Sequence, residues 1–352
     1  MDYHDNETTL SYCHIEFDYT GRRISLFLFH LFVFIMGLTM NVTVVWVNWQ
    51  RRHSHNTVFF CLLNMGLADT MIMVMLPVQM LEVIMDHVWV WGNFLCRFSN
   101  LVIVANIYAS SLFLAYMSAE RYLVLARGSM SRVGVIPEKR KRGTICAALW
   151  VLALFFSSLE TVHVRTQEWT EPGCYLMPKH AYEEWFSTII IIRFMVQFAM
   201  PAATIVASNV LAARAVRASP EVQARKTGDV LLLHLYYLVF VVCWLPYQIT
   251  MLLILENILN PDLLNCIALQ HLLFSYTVVR TITFLHCLAN PILYSFLSRS
   301  FRGKLINLIL HHLPQDAVSK QVMDQHGNPQ GDATANRTKG SNGGGNSTSQ
   351  SE

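Results

Sequence analysis

Charge is what this sequence has least of. Charged residues fill 14% of its 352 positions, against 53% hydrophobic. Soluble domains carry close to a quarter charged residues, so a soluble globular chain is excluded as the starting assumption. Sustained apolar–polar alternation is missing too, which excludes a closed membrane barrel. No internal repeat of the kind many transporters carry is present. The pairs His53 with His55 and His311 with His312 have no Cys or carboxylate at ligand spacing, so they read as solvated histidines and no enzyme is expected. The triple glycine at 343–345 is followed by no Lys-Ser or Lys-Thr step and follows no strand, which excludes a phosphate loop. No nucleic-acid partner is expected.

What is there is apolar sequence in long runs. Stretches near 26–49, 57–84, 98–125, 144–165, 185–216, 229–258 and 268–297 each reach the roughly 20 residues that cross a bilayer core. Only helices can satisfy the backbone of such runs in lipid. The fold class is therefore an all-α membrane protein, a seven-transmembrane helix bundle. Lys and Arg crowd one set of loops, with Arg51, Arg52, Arg127, Arg132, Lys139, Arg140, Lys141, Arg142, Arg214, Arg217, Arg225, Lys226, Arg299, Arg302 and Lys304. That face is cytoplasmic, and the N-terminus lies outside. Residues 1–23 are polar and acidic without an apolar core region, so the first span is expected to act as its own insertion signal.

Four segments follow from this reading: an extracellular tail over 1–25, the bundle over 26–297, an amphipathic eighth helix over 298–313 and a disordered cytoplasmic tail over 314–352. The eighth helix rests on "SFLSRSFRGKLINLILHHL", whose apolar and basic residues recur at helical spacing and suit the inner leaflet, so membrane lipid is a partner. The tail beyond Pro314 is rich in Gly, Asn, Ser and Thr and cannot bury enough apolar surface to order itself.

Of eight cysteines, Cys61, Cys146, Cys243 and Cys287 fall within spans and read as packed thiols. Cys13, Cys96, Cys174 and Cys266 all fall outside the membrane, in the compartment that favours disulfides. Three connectivities are open to them. Polar residues deep in the spans are costly and point inward: Asn41, Asp69, Asn106, Ser110, His286 and Asn290. A helix-packing hydrogen bond accounts for any one of them. Together, an Asp with amide and hydroxyl partners at one depth could form a small monovalent-cation site, because oxygen ligands suit a hard cation. Pro77, Pro201, Pro246 and Pro291 each remove a helical hydrogen bond.

Asn41, "LADT" with Asp69, Cys96 one helix before "ERY" at 120–122, Trp150, Pro201, "CWLP" at 243–246 and "NPILY" at 290–294 occur in order. This set resembles the rhodopsin-like G-protein-coupled receptors over residues 25–312. The resemblance implies a Cys96–Cys174 disulfide and a sodium pocket at Asp69, Asn106, Ser110 and Asn290, with no cofactor beyond that ion. It also implies an activation switch built from Glu120, Arg121, Tyr122, Trp244, Pro246, Asn290, Pro291 and Tyr294. Cys13 and Cys266 match the additional disulfide typical of chemokine receptors, and "HCLANPILY" is similar to their seventh-helix signature. The finer resemblance is to atypical relatives of that branch.

The outer face has a matching charge. Asp2, Asp5, Glu7, Glu16 and Asp18 surround Tyr3, Tyr12 and Tyr19, and an acidic field speeds the arrival of basic partners. Tyrosines beside acids are sulfation candidates, and Asn6, Glu7 and Thr8 form a glycosylation sequon. Glu82, Glu160 and Glu256 stand near the outer ends of spans, where a basic ligand tip would reach them. Arg280 stands where chemokine receptors commonly hold an acid, and Gln79 where they usually hold Trp.

In the family, Arg121 is held by its acidic neighbour at rest and released to the G protein when the sixth helix swings out. Glu120 is expected to be that restraint. Three departures are visible: "LVLARGSMS" follows the "ERY" motif, Asn209 replaces a Tyr expected to meet Tyr294, and Lys226 replaces an acid at the foot of the sixth helix. The expected protein is a cell-surface receptor for basic chemokine-like ligands that captures and internalises them, reaching endosomes, with G-protein activation weakened. Ser319, Thr334, Thr338, Ser341, Ser347, Thr348, Ser349 and Ser351 are phosphorylation sites through which arrestin would be recruited. The alternative is a conventional G-protein-signalling receptor for a peptide or chemokine.

Overall fold

The structure is a computed structural model that describes residues 19–50, 57–85, 88–127, 138–168, 171–217 and 220–297. Its elements run α1 (Tyr19–Gln50), α2 (Thr57–Ile84), α3 (Gly92–Arg127), α4 (Glu138–Thr161), β1 (Val164–Glu168), β2 (Pro172–Leu176), α5 (Tyr182–Ile192), a π-helical turn (Arg193–Ala199), α6 (Met200–Arg217), α7 (Pro220–Leu259), α8 (Cys266–Thr283) and α9 (His286–Leu297). Among the described residues, seven helical segments are long and apolar enough to cross a membrane. The fifth combines α5, the π turn and α6. The seventh combines α8 and α9 across a two-residue break at Phe284 and Leu285.

Differences from the sequence expectation are local. The third span begins at Gly92 rather than near 98, the helix extending through "GNFLCRF" before the apolar run. The fourth ends at Thr161, and Val164 and Arg165, expected in that helix, instead open a strand. β1 and β2 pair antiparallel, with Thr166 opposite Cys174, so one outer loop is a hairpin within an otherwise helical chain. The eighth helix expected over 298–313 lies outside the described residues.

Lipid tails are as apolar as the helix faces, so spans associate through close packing and internal hydrogen bonds rather than hydrophobic burial. Val33, Ile72, Met73, Leu76, Ile103, Phe284 and Leu288 form one packed core cluster. Gly37 permits close approach of the first and second spans, since a Cβ there would fall 2.5 Å from Met73 Sδ. Polar ties cross the bundle at its middle depth. Asn41 Nδ2 donates to the Cys287 carbonyl at 2.8 Å, joining the first and seventh spans. Asn64 Oδ1 accepts from Trp150 Nε1 at 3.0 Å, joining the second and fourth.

The outer hairpin is fastened to the top of α3. Cys96 and Cys174 are disulfide-bonded. Arg97 Nε donates to the Val164 carbonyl at 2.9 Å, and the Trp89 amide donates to the Pro172 carbonyl at 2.7 Å. Trp89, with 2% of its surface exposed, packs against Cys96 and Val164. Gly92, whose carbonyl accepts from Trp89 Nε1 at 2.9 Å, adopts φ +72°, a left-handed conformation that glycine adopts without penalty.

Candidate functional site

On the hairpin side, the bundle encloses a cavity of about 440 Å³ whose lining includes Tyr175, Leu176, Trp244 and His286. Its wall carries a buried charged cluster. Glu160, at the end of α4, accepts from Arg193 Nε at 3.1 and 3.3 Å, and Arg193 Nη2 closes a second arm of the same ion pair. Tyr108 of α3 donates its hydroxyl to Glu160, and Arg193 Nη1 donates to the Tyr247 hydroxyl of α7. The guanidinium also faces the Tyr247 ring, 5.9 Å from its centroid. Two donors of one guanidinium on one carboxylate give the forked geometry that makes such pairs strong. The third, fourth, fifth and sixth spans are thereby joined at one depth. Glu160 is 4% exposed.

Arg193 itself was not singled out by the sequence reading, although it is the single charged residue between Glu184 and Arg214. That isolation is the signal that marks a functional or paired group in a membrane span. The π turn begins at Arg193. Gln197, within that turn and fully buried, accepts from Gln248 Nε2 at 2.7 Å and so ties the fifth span to the sixth again.

Of the other acids expected to meet a basic ligand tip, Glu82 is half-buried in α2 and Glu256 is exposed on α7, where it accepts from Asn260 at 2.7 Å. Neither lines the cavity, whereas Glu160 and Arg280 do. Arg280 is exposed to the cavity. Among the described residues no carboxylate lies within ion-pair distance of it. Gln79 is buried in α2. Tyr19 opens α1, while Tyr3, Asn6, Tyr12 and Cys13 lie outside the described residues. Cys266 is disulfide-bonded.

A second polar group lies under Trp244, whose ring is 5.1 Å from that of His286. Asp69 is fully buried. It accepts from Asn106 Nδ2 at 2.9 Å, Asn290 Nδ2 at 2.9 Å and Ser110 Oγ at 3.5 Å. His286 Nε2 lies 3.7 Å from Asp69 Oδ1. The structure thus brings together all four residues expected at the sodium pocket. Asn106 Oδ1 is buried there without a hydrogen-bond donor. A carboxylate, an orphaned amide oxygen and a hydroxyl form an oxygen donor set that fits a hard monovalent cation. Cys287 Sγ and His286 Nε2, 3.4 Å apart, add softer atoms at its edge.

At the far end of the bundle from the hairpin, Glu120, Arg121 and Tyr122 are half-buried near the end of α3. Among the described residues Glu120 and Arg121 form no ion pair, and Arg121 is engaged by other interactions. Neighbours in a helix diverge by about 100°, so adjacent side chains do not face each other. Pro246 lies inside α7 and Pro291 inside α9, which also carries Tyr294. Asn209 is buried in α6, Lys226 falls in the first turns of α7, and the segment after Arg127 lies outside the described residues. One contact was not anticipated: the Tyr236 hydroxyl of α7 donates to the Asn290 carbonyl at 3.1 Å. A tyrosine in an apolar run gives no sequence signal of this.

Comparison with known proteins gives the sequence a family and relatives. A sequence model described as 7 transmembrane receptor (rhodopsin family) matches residues 40–294. The chain is 38% identical over 309 residues to G-protein coupled receptor 182 of Homo sapiens, covering 88% of this chain and 75% of that one. It is 37% identical over 309 residues to the same-named protein of Rattus norvegicus, covering 88% and 77%. It is 30% identical over 289 residues to Atypical chemokine receptor 3 of Homo sapiens, covering 80% and 78%.

Proposed function

Because the chain belongs to the rhodopsin family of seven-transmembrane receptors, we propose that it is an atypical receptor that captures basic chemokine-like proteins and internalises them with little G-protein activation. It is a multi-pass protein of the plasma membrane, related to chemokine receptors, and not an enzyme. The N-terminal tail faces outward and supplies the acidic field, with Asn6 glycosylated and Tyr3, Tyr12 and Tyr19 sulfated. The phosphorylated C-terminal tail recruits arrestin, and captured ligand travels to endosomes. A second disulfide, between Cys13 and Cys266, holds the tail over the bundle.

One observation carries the weak-signalling half of this reading. Tyr236 hydrogen-bonds the sixth span to the backbone of Asn290, and so tethers to the seventh span the helix that family members must move to admit a G protein. Asn209 stands on the neighbouring span in place of the family's Tyr, so one contact resists opening and the partner that would reward it is absent. Asp69, Asn106, Ser110 and Asn290 would hold a sodium ion, whose positive charge would offset that of the buried carboxylate. The residues themselves orient it: the amide nitrogens of Asn106 and Asn290 fix both oxygens of Asp69.

The test is uptake of labelled chemokines by cells expressing the chain, with G-protein dissociation recorded in the same cells. Uptake without dissociation is expected, with dissociation gained on combining Asn209→Tyr with Tyr236→Leu. Robust dissociation in the unaltered chain would make it a conventional signalling receptor, and absence of any chemokine uptake would refute the ligand class.

A further inference from the structure

The charges around the outer cavity do not suit a cationic ligand tip. Glu160 is the acid among the described residues that lines it, and its two oxygens are already occupied by Arg193 and Tyr108. Glu160 and Arg193 neutralise each other. Arg280, which also lines the cavity, keeps its positive charge toward it with no carboxylate inside ion-pair distance among the described residues. Glu82, half-buried on α2, does not line the cavity. Tyr276 lies one helical turn before Arg280 on α8 and lines the same wall. Residues four apart share a helix face, so a phenol hydroxyl and a forked guanidinium are presented side by side. The Tyr276 ring packs 6.0 Å from that of Tyr247, which leaves an aromatic surface beside the cation.

We infer that this cavity receives a carboxylate, held by Arg280 with Tyr276 beside it and by an apolar or aromatic group against Tyr247 and Trp244. The inference rests on the reading of the chain as a ligand-capturing receptor and specifies the chemistry of the part that enters the bundle. The body of the ligand is attracted by the acidic tail, whereas its inserted tip is anionic. Bidentate recognition of a planar carboxylate is what guanidinium does and an ammonium does not. A carboxylate can come from a peptide terminus or from a free small acid.

The experiment uses the full chain in lipid nanodiscs and reads the thermal midpoint with three probes of one shape and different charge: 2-naphthaleneacetate, 2-naphthaleneacetamide and 2-(2-naphthyl)ethylammonium. A hydrophobic hexapeptide with a free C-terminal carboxylate is compared with the same peptide amidated. The expected result is stabilisation by acids alone, since a ligand that binds the folded receptor raises the midpoint by an amount that grows with the logarithm of its concentration relative to Kd. Arg280→Gln should weaken acid binding by at least about 10-fold, and Arg280→Lys should recover part of it. A shift from the peptide acid alone assigns the source to a peptide terminus, and a shift from both acids assigns it to any carboxylate of this size.

No acid shift at millimolar probe, or an equal shift from the amide or the ammonium, overturns the inference. The wild-type comparison decides even if Arg280→Gln does not fold. Chemokine uptake by cells is read separately. Uptake without acid selectivity refutes the carboxylate site alone, and acid selectivity without uptake refutes the scavenging reading alone.

Discussion

Arg193→Met isolates the energetic role of the buried ion pair. Glu160 is 4% exposed and receives the guanidinium through Nε and Nη2. Removing the cation leaves a carboxylate in a low-dielectric wall with one remaining donor, Tyr108. Breaking one partner of a buried pair costs about 3–5 kcal/mol. A membrane setting pulls this toward the lower end, because the unfolded chain in lipid also finds partners for its polar groups. At roughly 2–4 °C per kcal/mol, the thermal midpoint of detergent-solubilised receptor should fall by about 6–12 °C. The double variant Glu160→Gln with Arg193→Met removes both charges, and most of that loss should return, since a neutral pair of similar volume is tolerated. The assay is the midpoint by a thiol-reactive or intrinsic-fluorescence melt, with surface expression in parallel. A midpoint for Arg193→Met within about 2 °C of the parent, or a double variant as unstable as the single, would refute the structural role. If Glu160→Gln then abolished ligand uptake without moving the midpoint, the carboxylate would be a ligand contact instead.

Three further outcomes follow from the same geometry. Sodium chloride should raise the thermal midpoint more than potassium chloride at equal ionic strength, and Asp69→Asn should erase that difference, because it removes the one buried carboxylate of the cluster. Cys96→Ser should cost about 2–5 kcal/mol and most surface expression, since Cys174 is then untethered and the hairpin that rims the cavity loses its anchor on α3. Tyr236→Phe should remove about 1 kcal/mol of restraint on the sixth span, raising basal G-protein dissociation about fivefold when combined with Asn209→Tyr. No rise in the combined variant would show that Tyr236 is only a packing residue.

Most of the bundle was legible because its constraint is one-dimensional. A run of apolar residues has to be a helix in lipid, and the positions of Asp69, Asn106, Ser110 and Asn290 on different runs converge once the runs are packed, since each is too costly to face outward. The hairpin was not legible for the opposite reason. Val164 and Arg165 continue the apolar-to-polar gradient of the fourth span, and only the pairing of Thr166 with Cys174, set by the disulfide on α3, decides that the chain turns into a strand. The Glu160–Arg193 pair falls between these cases. Each residue alone is an acid near a span end and a base in a span middle, which suggested one free carboxylate for a cationic ligand. The π turn beginning at Arg193 accompanies the placement that brings its guanidinium onto Glu160, and no periodicity argument for a regular helix contains that displacement. The consequence is a change of sign. With Glu160 neutralised, the charge left facing the cavity among the described residues is the one on Arg280, so a residue that looked like an exception in the sequence governs the inferred choice of ligand tip.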